Sequence, residues 1–167
     1  YDSVNRLTSV TSSAGASKTL AYNVIGNITS KTGVGTYNYP AAGSARPHAV
    51  SSVTGTVNGV TNPTYTYDAN GNLTLELSGA GATLRQITYS AFNLPTIISY
   101  GSTNVSFTYD AEHERIKEVN PTGTTVFVNP GGKLFFEKVM QPSVTEYKHY
   151  IQTPSGPVAV YTARSNS

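Results

Sequence analysis

All three aspartates in this sequence directly follow a tyrosine: Tyr1-Asp2, Tyr67-Asp68 and Tyr109-Asp110. Random placement would scatter them, so the pair marks a repeating unit. A related unit opens at Tyr22 and runs Asn23-Val24-Ile25-Gly26-Asn27-Ile28-Thr29. A looser one opens at Tyr89 with Ser90-Ala91-Phe92-Asn93-Leu94. The starts at 1, 22, 67, 89 and 109 are spaced by 21, 45, 22 and 20 residues. The long gap is about two periods and holds a degenerate unit near Tyr37-Asn38-Tyr39. A unit of this length cannot bury a face alone, so the chain must fold by pairing each unit with its neighbours.

The clearest unit shows what each copy does. Thr64-Tyr65-Thr66-Tyr67 alternates in the manner of a strand, and so does Asn72-Leu73-Thr74-Leu75-Glu76-Leu77. Alternation puts Leu73, Leu75 and Leu77 on one face and Thr74 and Glu76 on the other. Between the two runs, Asp68 is placed to accept hydrogen bonds from the next backbone N–H groups. Asn70 and Gly71 tolerate positive φ and can reverse the chain in a short hairpin, and Gly26-Asn27 fills the same place in the second unit. The expected structural positions are therefore Tyr1, Asp2, Tyr22, Gly26, Tyr67, Asp68, Gly71, Tyr109 and Asp110.

Further strands are expected near Leu7 to Val10 and over Leu84–Tyr89, Val105–Tyr109, Thr124–Val128, Lys133–Val139, Thr145–Gln152 and Val158–Thr162. Turn signals separate them, such as Pro130-Gly131-Gly132 and Pro154-Ser155-Gly156-Pro157. The segment Ala111–Val119 has helical propensity, but its place inside a Tyr-Asp unit favours a turn followed by a strand. The expected fold class is all-β, built of repetitive antiparallel hairpins: at least ten short strands and no helix beyond two turns. Residues 1–163 form the repeat region, about six units with a degenerate stretch at 33–60, and 164–167 form a tail. The chain opens on Tyr1 without a leader and reads as an internal fragment or a processed product.

Composition narrows the function. Charged residues make up 12% of the chain, against about 25% in an average soluble domain. The net charge is +2 with no basic cluster, which argues against a nucleic-acid partner. No apolar run reaches the roughly 18 residues of a membrane span. With no cysteine, there is no disulfide framework or thiolate metal site.

No catalytic, cofactor-binding or metal-binding constellation emerges. His48, His113 and His149 match no ligand spacing and read as surface or strand-face residues. Glu112 and Glu114 share a face if this stretch is extended, with His113 opposite, but a solvated turn or outer face is the expected reading. The aspartates stand identically after tyrosine, which points to turn capping. Asn27-Ile28-Thr29, Asn72-Leu73-Thr74 and Asn104-Val105-Ser106 fit the glycosylation acceptor pattern, two of them as by-products of the repeat. The tyrosines are expected to pair across strands as an aromatic ladder, with sugar stacking as the second reading.

The stretch from Tyr67 to Thr74, Tyr-Asp-x-x-Gly-x-Leu-Thr, resembles the YD repeat of bacterial Rhs and related proteins. Tyr109 to Val119 resembles the degenerate repeat near the end of the Rhs core. Glu146 to Ile151, with Gly156 to Thr162, resembles the closing strands of that family. The resemblance implies a long β-sheet that spirals into a shell, secreted or at the bacterial cell surface. Such shells enclose a toxin in Rhs proteins and in the C components of insecticidal toxin complexes, and a comparable barrel serves adhesion in teneurins. This chain has fewer repeats than a closed shell needs, ends at Ser167 without a variable effector, and lacks the Asp-Pro-x-Gly cleavage element. The expected role is a non-catalytic structural segment without cofactor. Its expected partners are further YD repeats of the same polypeptide or copies of itself stacked end to end, with an enclosed toxin or surface glycans as further candidates. The alternative is an adhesin-like carbohydrate- or partner-binding module.

Overall fold

The computed structural model describes residues 1–13 and 15–166. Among these there are sixteen strands, and every pairing between them is antiparallel. The chain is all-β, as its hairpin periodicity requires. The one helical element among the described residues is a 3-10 turn at Pro130–Gly132. No helix among the described residues is long and apolar enough to cross a membrane.

The chain divides into two compact units, Tyr1–Gln86 and Ile87–Ser167. The first holds β1 (Ser9–Val10), β2 (Lys18–Tyr22), β3 (Ile28–Lys31), β4 (Gly35–Asn38), β5 (Ser52–Val57), β6 (Val60–Thr61), β7 (Thr64–Tyr67) and β8 (Leu73–Leu77), with most of β9 (Thr83–Tyr89). Strands pair with their sequence neighbours, except that β5 pairs with both β6 and β7. The buried residues among those described in this unit are Val53, Pro63 and Asn27, the last at 7% exposure. Gly35 and Gly55 face each other across β4 and β5. A Cβ on Gly55 would come within 2.0 Å of the Val34 carbonyl oxygen, so only glycine permits this approach.

The second unit is a meander of β10 (Pro95–Tyr100), β11 (Thr103–Tyr109), β12 (Arg115–Asn120), β13 (Gly123–Val128), β14 (Phe136–Met140), β15 (Val144–Thr153) and β16 (Gly156–Asn166). Its register sorts the side chains. Phe107, Glu118, Thr125, Val139, Glu146 and Arg164 lie opposite one another on successive strands and share a face. This face carries ion pairs: Arg164 with Glu146 at 2.7 Å, Arg115 with Glu118 at 3.2 Å, and Lys148 with Glu137 at 3.6 Å. The other face carries the row Val128, Phe136, His149 and Tyr161, beside the row Lys117, Val126, Lys138 and Tyr147. No described residue of this unit is fully buried.

Three boundaries differ from the sequence reading. β16 continues through Asn166, so 164–166 are strand and not tail, because Val144, Thr145 and Glu146 offer backbone partners to Asn166, Ser165 and Arg164; Ser167 lies outside the described residues. β14 begins at Phe136 and not Lys133, since the 3-10 turn delays the strand and the Leu134 carbonyl is taken by the Gln152 side chain. The first strand is confined to Ser9–Val10.

Candidate functional site

The residues singled out by the repeat come together at its turns. In the Tyr67 unit, the Asp68 carboxylate oxygen Oδ1 accepts the N–H groups of Asn70 and Asn72, both at 2.9 Å. Its Oδ2 accepts the Asn72 side-chain amide at 2.9 Å. The backbone closes twice around it: Asp68 N–H donates to the Asn72 carbonyl and Gly71 N–H to the Asp68 carbonyl. Gly71 sits at φ 90°. The loop thus spans Asp68 to Asn72, wider than the two-residue reversal read from Asn70-Gly71, and Asn70 keeps an ordinary φ.

The same turn recurs. Asp2 accepts from Val4 and Arg6, Asn23 from Ile25 and Asn27, and Asp110 from Glu112 and Glu114. Ser90 makes a reduced version, its hydroxyl accepting from Leu94 N–H. The left-handed position is filled by Asn5, Gly26, Gly71, Asn93 and His113 in the five units. Residues 111–114 are therefore turn, not strand, and His113 stacks on Phe92 with ring centroids 3.9 Å apart.

Hydrogen bonding sets the acidity of two turn carboxyls. Bonds from the Asn72 side chain, then from backbone N–H groups of the turn, hold Asp68 below its ordinary value. Asp2 is lowered chiefly by Arg6 N–H, with the guanidinium at 2.6 Å adding to it.

The tyrosines do something the sequence reading did not foresee. Tyr147 and Tyr161 do pair with rings on neighbouring strands, Phe136 and His149, but the hydroxyls of four repeat tyrosines reach backward to main-chain carbonyls. Tyr22 donates to Leu7, Tyr39 to Ile28, Tyr67 to Val50 and Tyr109 to Pro95, at 2.8–3.0 Å. Leu7, Ile28 and Pro95 each stand six residues after the tyrosine that opens the preceding unit. Burial raises the phenols of Tyr39, Tyr67 and Tyr109 above their ordinary value.

This rule resolves the degenerate stretch. Tyr39 is the repeat tyrosine there, and its unit carries a loop enlarged by five residues, so that Val50 takes the place of the sixth residue. The enlarged loop braces both neighbours. Arg46 donates to the Asp68 carbonyl of the following turn. Asn27 of the preceding turn donates its amide to the Pro47 carbonyl at 2.8 Å, and its Oδ1 meets His48 Nδ1 at 2.7 Å. A carbonyl only accepts, so the Asn27 amide orientation is fixed and His48 carries its proton on Nδ1. The side chains of Asn27 and Asn72, two of the three glycosylation-pattern asparagines, are thus engaged in turns, whereas Asn104 is exposed on β11. His149 lies in the aromatic row, 4.9 Å from Phe136.

No group of three or more metal-ligating side chains forms among the described residues. What the turns accomplish is mechanical: Asp2, Asn23, Asp68 and Asp110 each close their own loop, and Tyr22, Tyr39, Tyr67 and Tyr109 each fasten to the unit before. The RHS Repeat family model matches residues 1–37, which covers the first two of these turns and the Tyr22–Leu7 link. The match supports an Rhs/YD-repeat assignment. RHS repeats are structural, and proteins that carry them are typically extracellular or surface-exposed. No curated protein matches the chain.

Proposed function

We propose that this YD-repeat chain is a non-catalytic wall segment of a secreted or surface assembly. Its partners are further repeats of the same polypeptide or copies of itself, with an enclosed toxin as a further candidate. The observation that carries this reading is the second unit, in which Ile98, Val105, Phe107, Ile116 and Phe127 stay only half-buried. A sheet normally buries one face against a second layer, and this unit supplies none from its own strands. Its last strand, β16, is eleven residues long and pairs with β15 alone among the described strands. Such an edge templates pairing with another chain. Sedimentation of the purified protein, with electron microscopy and a hydrophobic dye, tests the proposal. End-to-end assemblies, or a monomer that binds the dye, are expected; a monodisperse monomer that ignores the dye overturns it.

The adhesin-like reading has its own support in the opposite face. Lys117, Lys138 and His149 lie there beside Phe136, Tyr147 and Tyr161, and the register places no carboxylate among them. That pairing of cations with ring faces suits an acidic glycan. Retention on an immobilised acidic polysaccharide, lost in Lys138→Glu, supports this second reading, and unchanged retention removes it.

A further inference from the structure

The repeat tyrosines at 89 and 109 are followed, at the same spacing of 20, by Asn129. Asn129 takes the tyrosine's role in the ladder. Its amide Nδ2 donates at 3.1 Å to the carbonyl of Arg115, which stands six residues after Tyr109, as Pro95 does after Tyr89. The replacement is incomplete in two respects. An amide carries an acceptor that a phenol's donating role does not require, and Asn129 Oδ1 is buried with no protein partner. An amide also lacks the ring. Beside Asn129 lies an open cleft of about 640 Å³, walled by Ile116, Phe127, Val128 and Pro130. A second concavity of about 290 Å³ touches Asn129 from the side of Leu134.

We infer that the cleft beside Asn129 is a receptor for a tyrosine side chain carried by a partner segment. The apolar wall is of the kind that takes an aromatic ring, and the site needs a donor. Its polar side chains offer acceptors: Asn129 Oδ1 and the carboxylates of Asp110, Glu112 and Glu114, Asp110 Oδ1 already capping its own turn and the asparagine's own N–H being spent on Arg115. A phenol supplies ring and donor in one group, and it is the group this ladder position holds in the two units before. The site lies wholly within the second unit and stands whether or not the wall reading holds.

The test is chemical rescue with p-cresol, the side chain of tyrosine as a free molecule. Asn129→Ala removes the amide and leaves the Arg115 carbonyl open. Its unfolding temperature should fall, and p-cresol should restore it by about 2 °C or more, a shift readable at millimolar ligand. Toluene, with the same ring and no hydroxyl, should restore less. Asn129→Tyr should unfold at a higher temperature than the natural chain and should not respond to p-cresol. Should Asn129→Ala fail to fold, the natural chain decides: p-cresol should shift the amide resonances of Ile116 and Phe127, and Asn129→Tyr should abolish those shifts. Absence of those shifts, equal binding to Asn129→Tyr, or preference for benzylamine over p-cresol overturns the inference, the last by marking the cleft as a cation site.

Discussion

Tyrosine hydroxyls and turn-closing side chains do the fastening, and each can be tested alone. Tyr109→Phe deletes one hydrogen bond and strands the Pro95 carbonyl. A loss of about 1 kcal/mol in urea unfolding is expected, with the strand signal in circular dichroism intact. Asp110→Ala removes the acceptor for two N–H groups and should also cost about 1 kcal/mol, by analogy with loss of a helix cap. Acid and base act with opposite signs. Asp2 and Asp68 have folded pKa values below 3.8, so the native state binds fewer protons than the unfolded chain in acid. Their contribution is present above the unfolded pKa and is lost as pH falls through 3.8 and below. Asp68→Asn keeps an acceptor that does not titrate, and it should flatten that acid limb in a series of urea midpoints. Tyr67 and Tyr109 have folded values above 10.0, so their contribution holds below pH 10 and is lost above it, where the unfolded chain ionises first. The part of the tyrosinate absorbance that is lost in Tyr67→Phe and Tyr109→Phe should therefore rise together with unfolding, not before it.

At the level of the hairpin, the strands were legible because period-two alternation and turn residues coincide in this chain. The capping role of Asp68 was legible for the same reason, since an aspartate before Ala-Asn-Gly has few other local uses. The tyrosine links were not. A hydroxyl that bonds a carbonyl of the preceding unit leaves no mark on spacing beyond the repeat itself, and an aromatic ladder predicts the same periodicity. The enlarged loop at 40–49 left the third unit legible only as a degenerate one near Tyr37-Asn38-Tyr39, because its insertion shifts every landmark after Tyr39. The Gly35–Gly55 contact was also out of reach, since no local pattern says that two glycines meet across strands. It gives a sharp prediction. Gly55→Ala places a Cβ against the Val34 carbonyl at φ 145°, and a loss on the order of 3 kcal/mol is expected by denaturation. Gly81→Ala, with open space around it, should cost far less despite its positive φ.

For the chain as a whole, stability rests on hydrogen-bonded ladders and side-chain fasteners more than on a buried core. Three described residues are buried, all in the first unit. Because the dependence of unfolding on denaturant scales with the surface newly exposed, the urea slope should fall below that of an ordinary domain of 167 residues. A slope typical of a well-cored domain of that length would show that the apolar faces are covered in solution. The sequence conveyed the class of the molecule but not this shortage, because alternation tells which side chains share a face and not whether anything lies over it. The backward direction of the tyrosine links carries a consequence for how such a chain is made. Each reaches 11 to 17 residues toward the N-terminus, so a unit leaving the ribosome finds its anchor already in place. Contacts this local favour fast acquisition of structure, and their polarity lets folding advance with synthesis, one unit docking on the last. The enlarged loop is the exception. Arg46 must wait for Asp68, twenty-two residues downstream, so the third unit is the place where a growing chain pauses half-fastened.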